Sequence, residues 1–440
     1  MSGEWRVRSG ESPATSDFFF MAESEYLTVA EALEAVLAGV SVLSAETVPL
    51  LEALNRVLAE PITAQDSLPP FANSSMDGYA LRAADLVGAT AEKLAILRVV
   101  ADIAAGSVPD VAVTKGTAAR IMTGAPLPPG ADAVIPVEDT NEPWRDAERP
   151  LPETIAIKRV VQVGDYVRRP GEDIEAGATV LPAGHKVRPQ EIGVLASLGV
   201  SQVPVIRRPR VGILATGDEL IAVEEALIPG KIRNSNGYAQ TAQVLAMGAV
   251  PVPLGVARDT EEDVRAKLQK GIEEQVDLFV SSAGVSVGAY DVVKAVLEQE
   301  GNVGFWRVRM RPGKPLAYGT YQGIPYLGLP GNPVSAMVSF ERFARAAILK
   351  MGGYRQLERP TVMAVVQETI HSDGRESYIR AVVTRTGEGY TAVTTGSQGS
   401  HIMTSLVKAN ALLIVPEGVK LVSSGDLLTA WMMDWPETVF

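Results

Sequence analysis

The chain has 440 residues, 46% hydrophobic and 21% charged, which is enough for about two to four globular domains. Its net charge of −12 argues against general nucleic-acid binding, so an anionic ligand must be held by local Arg or Lys side chains, backbone N–H groups or a metal. The sequence contains no Cys and three His residues, which excludes thiolate chemistry and favours a hard metal held by carboxylates, such as Mg²⁺.

The N-terminal part of the chain predicts an extension followed by two helices. Residues 1–24 are mostly polar and predict a disordered segment, with Met21 as an alternative start. Residues 27–40 have helical periodicity, with Thr28 as N-cap and Glu31 completing a capping box. Residues 46–59 predict a second helix from apolar positions near one face. No apolar run approaches the roughly 20 residues of a membrane span, so we expect a cytoplasmic protein without membrane association.

Residues 73–165 predict a small β domain, because they contain short β-like runs and no good helix. The segment before it, 25–72, and the segment after it, 166–206, predict a helical linker domain. Taken alone, Asp77 is typical of a turn between domains. The charges crowded around Arg168 and Asp173 are likewise typical of a self-paired surface turn.

Residues 207–353 predict the central α/β domain, a three-layer sandwich with a mostly parallel sheet. Buried apolar runs alternate with helical patterns there, and three of these runs stop at Gly or Pro. Ligands of such sheets bind beyond the carboxyl ends of the strands, so we expect the loops to converge on one site. Residues 354–440 alternate in the manner of strands and predict a C-terminal barrel-like β domain. The predicted fold is therefore an elongated multidomain chain with small β domains flanking the α/β domain.

Two Gly-containing loops at the ends of these strands predict anion binding. In the loop at 330–335, Gly331 permits close approach of a ligand, Asn332 can cap the following helix and Pro333 suits its first turn. The loop at 281–288 offers backbone N–H groups in the same way. Glycine in a tight turn also serves packing, so one loop alone leaves both interpretations open, whereas two on one sheet edge favour phosphate.

Acidic and basic side chains accompany these loops. Asp218, Glu219 and Asp291 lie at strand ends or helix starts, where an acidic residue is either an N-cap or a ligand of a divalent cation. Arg307, Arg309 and Arg311 alternate on one face of a predicted strand, as in either a solvated edge strand or an anion site. The turn that follows, at 312–315, favours a site because it projects Lys314 beside the other loops. No nucleophile is paired with a His base, so charge neutralisation around a phosphate ester or anhydride is favoured over a serine triad.

Seven motifs occur in an order that identifies a family resemblance. They are PFANSSMDGYA (70–80), RIMTGAP (120–126), RRPGEDI (168–174), TGDEL (216–220), SAGVSVG (282–288), RPGKP (311–315) and GLPGNPVSA (328–336). From about residue 27 to the C-terminus the chain resembles the MoeA / gephyrin E-domain family of molybdopterin molybdenumtransferases. The resemblance outweighs the turn interpretations of Asp77 and Arg168.

The resemblance implies an elongated homodimer of four-domain subunits. It implies Mg²⁺-dependent insertion of molybdate into adenylylated molybdopterin, with release of AMP, in a cleft between the α/β domain of one subunit and the small β domain of the other. It also implies possible partners, a molybdopterin adenylyltransferase and molybdoenzymes. Arg307 and Arg311 stand where some members carry Lys. Arg keeps the positive charge but replaces the ammonium group by a planar guanidinium group. Ala72 replaces a usual acidic residue and Ser75 a usual Ala.

The resemblance and the loops together give the predicted site. The catalytic residues are Asp77, Thr123, Arg168, Asp173, Glu219, Asp291, Arg307 and Arg311. The substrate-binding residues are Asp218, Asp259, Ser281, Gly284, Ser286, Gly288, Lys314, Pro330, Gly331, Asn332, Pro333, Ser335 and Ser400. The metal ligands are Glu219 and Asp291.

Three alternatives stay open at this point. Tungstate has almost the size and charge of molybdate. A scaffold role is known for gephyrin, although the sequence shows no multivalent tail. A related adenylyltransferase or nucleotide hydrolase would share the central domain, but the motifs around Asp77 and Thr123 argue against it.

Overall fold

The structure is a computed structural model that describes residues 26–142, 150–282 and 292–435. These residues form two compact units. The first unit comprises the described residues of Met1–Thr47, Asn55–Ala59 and Pro204–Phe440, and the second those of Val48–Leu54 and Glu60–Val203. The disorder predicted for residues 1–24 lies outside the described residues.

The helical elements alternate with strands along most of the chain. The helices are α1 (Val29–Ala38), α2 (Pro189–Ser197), α3 (Ser235–Ala246), α4 (Glu261–Glu273), α5 (Val292–Glu300), α6 (Pro333–Ser339), α7 (Arg345–Met351) and α8 (Thr404–Val407). Shorter turns are the 3₁₀ segments Leu50–Ala53, Ala83–Leu86 and Val137–Asp139, and the π-helical turn Phe340–Ala344 between α6 and α7. In the described residues no helix is both long and apolar enough to cross a bilayer.

The strands fall into several sheets. They are β1 (Tyr26–Leu27), β2 (Ala45–Pro49), β3 (Ile62–Thr63), β4 (Asn73–Ser74), β5 (Gly78–Leu81), β6 (Ala95–Ile103), β7 (Thr117–Ile121), β8 (Ala133–Pro136), β9 (Thr154–Ile157), β10 (Val167–Arg168), β11 (Thr179–Leu181), β12 (Gln202–Ile206), β13 (Arg210–Thr216), β14 (Leu220–Ile221), β15 (Ile232–Arg233), β16 (Val250–Ala257), β17 (Leu278–Ser282), β18 (Gly301–Val308), β19 (Met310–Arg311), β20 (Pro315–Tyr321), β21 (Ile324–Leu329), β22 (Thr361–Val366), β23 (Ile370–His371), β24 (Glu376–Thr386), β25 (Gly389–Thr394), β26 (Ala411–Val415), β27 (Leu421–Val422) and β28 (Leu427–Met432).

Helix α1 begins where the capping box predicts. The Thr28 side chain accepts the N–H of Glu31 at 3.2 Å, and the Glu31 carboxylate accepts the N–H of Thr28 at 2.8 Å. Val29, Ala32 and Val36 recur at three- and four-residue spacing and are buried. The predicted helix and its cap are confirmed, because both depend on residues close together in the sequence.

The second predicted helix, over residues 46–59, is wrong. The structure has β2 and the 3₁₀ segment Leu50–Ala53 there instead. The Leu50 N–H donates to the carbonyl of Ser201, and the Ala59 N–H donates to that of Pro204. These partners lie far along the chain, so non-local pairing replaces the i to i−4 bonds that a helix would need.

A seven-stranded sheet organises the first unit. Its order is β1-β18-β20-β21-β17-β13-β16. Strands β13, β16, β17 and β21 pair in parallel, whereas β20 runs antiparallel to both β18 and β21. The parallel part therefore brings the carboxyl ends of β13, β17 and β21 to one edge of the sheet.

Both faces of this sheet are covered by helices. On one face Ile213 of β13 belongs to a core with Val244 of α3. On the other face the next residue, Leu214, packs in a core with Leu268 of α4 and Val296 of α5. Successive strand residues point to opposite faces, which explains why β13 reads as a continuous apolar run.

The C-terminal part of the first unit is a small barrel-like β domain, as expected. Strands β24, β25, β22, β28 and β26 are neighbours in that order, and an additional pairing of β26 with β24 closes the ring. Its core includes Val366, Ala381, Leu413 and Ala430. The four-residue helix α8 interrupts a region that predicted only strands.

The second unit contains a five-stranded sheet in the order β8-β5-β7-β6-β9. Tyr79, Ile135 and Ile155 are among its fully buried core residues. The short ladders β4–β10 and β3–β11 belong to the same unit. The chain thus has several β modules beside the helix-covered sheet, consistent with the predicted multidomain organisation.

Candidate functional site

A cavity of about 720 Å³ lies in the first unit at the carboxyl ends of β13, β17 and β21. Thr216 and Ser282 end the first two of these strands and line the cavity. The predicted site residues that the structure brings together in its wall are Glu219, Arg311, Lys314, Pro330, Gly331, Asn332, Pro333, Ser335 and Ser400. We call this cavity the cleft. It is formed where parallel strands end at a common edge.

Two guanidinium groups of the cleft are paired with one carboxylate. Arg375 Nη2 donates to Asp373 Oδ2 at 2.5 Å, and Arg311 Nη1 lies 3.5 Å from the same oxygen. The hydrogen bond from Arg375 holds the pKa of Asp373 below its ordinary value, and Arg311 contributes in the same direction. Asp373 therefore stays ionised; it holds Arg375 by a hydrogen bond and lies within ion-pair distance of Arg311 at the cleft wall.

Lys314 is a cation of a different kind. It is exposed and makes no ion pair within the described residues. Its Nζ lies 5.0 Å from the ring centroid of Tyr26, in a cation–π contact. Strand β1 places Tyr26 there by pairing it with Arg307 of β18. With no carboxylate neutralising it, the ammonium group is available to an anionic ligand.

Glu219 supplies the carboxylate of the cleft. It forms no ion pair with a described Arg or Lys, and its side chain folds over Gly217. A Cβ at Gly217 would lie 2.4 Å from Glu219 Oε2, and this glycine has φ +140°. The backbone conformation favours glycine here, and a side chain at this position would displace the Glu219 carboxylate from where it now lies.

The loop at 330–333 is held from two sides. Asn236 Nδ2 donates to the Gly331 carbonyl at 2.8 Å, and the Val334 N–H donates to the Ser400 carbonyl at 3.0 Å. The Asn332 side chain makes no capping hydrogen bond, so the predicted cap is wrong. The first free N–H of α6 is engaged by Ser400, which ties the barrel-like domain to the loop.

Several predicted residues of the first unit lie outside the cleft wall. Asp218 and Asp259 each accept the other's backbone N–H at 3.3 Å. Arg307 is exposed on β18. Ser281 is buried, and its Oγ is 2.6 Å from the Tyr326 hydroxyl that donates to it, so its neighbour Ser282 lines the cleft instead. The predicted residues Gly284, Ser286, Gly288 and Asp291 lie outside the described residues.

The remaining predicted residues form an exposed cluster in the second unit. One Asp77 oxygen accepts both the N–H of Thr123 at 2.7 Å and its hydroxyl at 2.8 Å. Arg168 pairs through its backbone with Asn73, and the Asp173 N–H donates to the carbonyl of Leu68. Three separate motifs therefore meet on one surface, which we call the motif cluster.

The charges of the motif cluster are not self-paired as a surface turn would predict. Within the described residues Arg168 makes no ion pair. The Glu172 carboxylate instead accepts the backbone N–H of Arg169 at 2.8 Å. Arg168 is exposed and, like Lys314, available to an anion.

Sequence reasoning missed several residues of the cleft wall, including Arg233, Asn234, Asn236, Arg375 and Gln398. Asn234 accepts the Gly237 N–H at 2.9 Å and caps α3, a role that the polar triplet at 234–236 could have signalled. Arg375 follows an Asp-Gly turn in the C-terminal domain, and no local pattern connects that turn with the cleft.

The charge of the cleft is opposite to that of the chain. Its described wall contains four cationic side chains, Arg233, Arg311, Lys314 and Arg375, and one carboxylate, Glu219. The cations and the size of the cleft suit a ligand with several anionic oxygens. A divalent cation held by Glu219 and by the ligand's own oxygens is compatible with this set.

Three family models match the chain and together span most of it. They are the MoeA N-terminal region (domains I and II) at residues 27–199, a probable molybdopterin binding domain at 212–350 and the MoeA C-terminal region (domain IV) at 363–432. The cleft draws its wall from the second and third matched regions, and the motif cluster lies in the first.

Curated relatives and a solved structure agree with these matches. The chain is 39% identical over 392 residues to molybdopterin molybdenumtransferase 2 of Mycobacterium tuberculosis, covering 88% of this chain and 94% of the relative. It is 34% identical over 415 residues to molybdopterin molybdenumtransferase of Bacillus subtilis, covering 90% and 92%. The crystal structure of a molybdopterin biosynthesis MoeA protein from Pyrococcus horikoshii superimposes with a TM-score of 0.78 at 31% identity, covering 93% of this chain and all of that one.

Proposed function

The chain belongs to the MoeA family of molybdopterin molybdenumtransferases, and we propose that its cleft carries out the Mg²⁺-dependent transfer of molybdate to adenylylated molybdopterin with release of AMP. The observation that carries the proposal is the group of Arg311, Lys314 and Arg375 beside the Gly331 loop. Such a site suits a substrate with phosphate groups and a tetrahedral oxyanion together.

The cationic side chains have different roles in binding the substrate because different contacts hold them. Arg375 is hydrogen-bonded to Asp373 and Arg311 lies within ion-pair distance of the same carboxylate, so both guanidinium groups offer N–H donors to phosphate or molybdate oxygens at the cleft wall. The Lys314 ammonium group lies at the end of a flexible side chain. It can therefore move toward the negative charge that develops on the phosphate oxygens when the phosphoanhydride bond to AMP breaks. Gly331 lets the pterin phosphate approach the backbone without meeting a side chain.

Glu219 is the described residue that fits Mg²⁺. Within the described parts of the chain no group of three or more Asp, Glu, His or Cys side chains gathers into a metal site. Mg²⁺ is commonly bound through one or two carboxylates plus substrate phosphates, so Glu219 together with a phosphate-bearing substrate satisfies its preference. Bound there, the metal would neutralise charge on the phosphoanhydride oxygens. Asp291, the second proposed ligand, lies outside the described residues.

The proposed activity is tested by following AMP. The purified protein is expected to release AMP from adenylylated molybdopterin when molybdate and Mg²⁺ are both present. Glu219→Gln removes one carboxylate charge and is expected to slow AMP release by at least about 100-fold. Glu262→Gln, an exposed neutralisation on α4, is the matched control. AMP release that is unchanged in Glu219→Gln, or ATP consumption that needs no molybdate, would contradict the proposal.

We further propose that the protein works as a homodimer in which the motif cluster of one subunit completes the cleft of the other. The support is that the cleft and the motif cluster each hold a cation, Lys314 and Arg168, without an ion pair among the described residues. Mixing Lys314→Ala and Arg168→Ala proteins tests this. About a quarter of wild-type activity should return, because half of randomly mixed twofold dimers are hybrids and each hybrid keeps one intact cleft. Mixed dimers that stay inactive would contradict the shared site.

A further inference from the structure

Arg233 is a cation of the cleft to which the proposed function gives no role. It is the last residue of β15, lines the cleft and is exposed. The N–H of its neighbour Ile232 donates to the Glu219 carbonyl at 2.8 Å. Arg233 therefore enters the cleft beside Glu219, whereas Arg311 and Lys314 belong to β19 and the turn after it.

The guanidinium group of Arg233 is held by two backbone carbonyls. Its Nε donates to the Val223 carbonyl at 2.9 Å, and its Nη2 donates to the Glu225 carbonyl at 3.2 Å. Both acceptors are neutral, and within the described residues Arg233 makes no ion pair. A guanidinium group has five N–H donors, so Nη1 and Nη2 can still donate to two oxygens of one phosphate group.

Arg375, in the same cleft, is held differently. Its Nε and Nη2 donate to the Asp373 carboxylate at 3.2 and 2.5 Å, and its Nη1 donates to the Met310 carbonyl at 3.2 Å. The carboxylate compensates the charge of Arg375, whereas neutral carbonyls fix Arg233 in place and leave its charge to a ligand. Lys314 also keeps its charge, but its side chain is flexible. Arg233 thus combines a fixed position with an uncompensated charge.

The two carbonyls that hold Arg233 belong to residues 222–231, which connect β14 to β15 and which we call the rim loop. Glu225 closes a turn of this loop. Its carboxylate accepts the Ala222 N–H at 2.9 Å, and its own N–H donates to the Ala222 carbonyl at 3.3 Å. Glu225 is exposed and does not line the cleft. Its side chain therefore acts on Arg233 only through the backbone of the rim loop.

We propose that Arg233 binds a phosphate group of the organic substrate and that Glu225 is the residue that positions it through the rim loop. The identity of the substrate as adenylylated molybdopterin rests on the proposed function, whereas the phosphate chemistry rests on the available N–H groups of Arg233. Ile232, which is 57% exposed, and Leu220 line the cleft on the same side. Apolar side chains beside a cation favour a phosphate that carries a sugar or a ring over a free inorganic oxyanion.

Isothermal titration calorimetry of the full-length protein with AMP and Mg²⁺ tests the role of Arg233. Arg233→Ala should weaken AMP binding on the order of 10- to 100-fold, because hydrogen bonds from an ionised donor to phosphate are lost. Arg233→Lys keeps the charge without the planar guanidinium group and should recover part of the affinity. Arg208→Ala, at an exposed Arg outside the cleft wall, is the control and should bind AMP as the wild type does.

Molybdate titrated alone separates an organic phosphate from a free oxyanion. It should bind to Arg233→Ala as it binds to the wild type. Weaker binding of molybdate together with unchanged binding of AMP would overturn the assignment to an organic phosphate.

A double-mutant cycle tests the positioning by Glu225. Glu225→Ala should weaken AMP binding on the order of three- to tenfold in the wild type and have no further effect in Arg233→Ala, because it acts through Arg233. Steady-state AMP release should show a raised KM with kcat nearly unchanged, since the phosphate is bound both before and during the reaction. Glu224→Ala, at the neighbouring exposed Glu, is the control. An equal loss of affinity from Glu225→Ala with and without Arg233 would overturn the positioning role.

Two further results separate this inference from the proposed function. AMP release that keeps the wild-type KM in Arg233→Ala would overturn the role of Arg233 and leave the transferase intact. AMP binding that depends on Arg233, in a protein without molybdate-dependent AMP release, would instead overturn the transferase and leave Arg233 as a phosphate-binding residue.

Discussion

Two carboxylates in different units show how the same side chain serves the fold in one place and a ligand in another. In the second unit, Glu191 at the start of α2 accepts Arg188 Nη2 at 2.6 Å and faces His185 Nε2 at 3.0 Å. The hydrogen bond from Arg188 holds the pKa of Glu191 far below its ordinary value. In the first unit, Glu219 in the cleft has no ion pair with a described Arg or Lys.

The difference separates structural from functional charges. A buried carboxylate whose two oxygens both accept protein donors, as in Glu191, stabilises the fold and has little left to offer a ligand. A charged side chain without a partner in the protein adds little to stability, and it is available to an oppositely charged ligand. Lys314 and Glu219 belong to the second kind, and Glu191 belongs to the first.

The largest expected effect is on activity, at Lys314. Lys314→Ala should lower kcat/KM by about 100- to 1,000-fold, because it removes a charge aimed at the reacting phosphate and molybdate. It should lower the free energy of unfolding by no more than about 1 kcal/mol, since the exposed cation–π contact with Tyr26 is lost but no ion pair within the described residues is. Steady-state AMP release and urea unfolding measure the two quantities. Lys270→Ala, an exposed Lys on α4, is the control. If Lys314→Ala unfolds at a much lower urea concentration than the wild type, Lys314 stabilises the fold and the assignment to ligand binding is contradicted.

A smaller effect on activity is expected at Gly217, where the backbone makes room for Glu219. Gly217→Ala puts a Cβ against the Glu219 carboxylate and forces an L-residue to φ +140°. We expect the free energy of unfolding to fall by about 1–3 kcal/mol, and AMP release to fall further than this loss alone explains. Gly425→Ala has a comparable positive φ of +96° but meets nothing within 4 Å, so it should lose stability and keep activity. Equal activity in the two variants would contradict the role assigned to Gly217.

The smallest expected effect is on stability, at Glu191. Glu191→Gln should cost about 1–2 kcal/mol at neutral pH, because Arg188 is half exposed and solvent screens the pair. Since the folded-state pKa is depressed, the stabilisation is present above the ordinary carboxyl pKa of 4.5 and is lost as pH falls through the lowered value. Urea unfolding at pH 7 and at progressively lower pH measures this, with the exposed Glu60→Gln as control. AMP release should be unaffected. A loss of activity at unchanged stability would contradict the assignment of Glu191 to the fold rather than to the site.

Part of the site was predictable because motif residues lie next to the strand ends that place them. Glu219 and the residues from Pro330 to Pro333 follow apolar runs that end at the sheet edge, and all of them line the cleft. The predicted placement of Arg307 and Arg311 on one face of one strand is wrong. Arg307 lies on β18 of the seven-stranded sheet, whereas Arg311 lies on β19, which pairs with β24, and of the two only Arg311 lines the cleft. Alternation along a predicted strand does not indicate where the strand ends or which residues its side chains contact.

The sequence by itself determined the features whose causes are local. The capping box of Thr28 and Glu31, the buried strands and the order of the seven motifs all depend on residues within a few positions of one another. The tertiary structure alone decided which distant segments supply partners. It paired residues 46–59 as strand and turn with Ser201 and Pro204, and it brought Arg375 to Arg311 through Asp373. The reason is that hydrogen bonds and ion pairs between remote segments contribute enough free energy to override a weak local preference for helix. A local sequence pattern does not indicate which remote segment will pack against it.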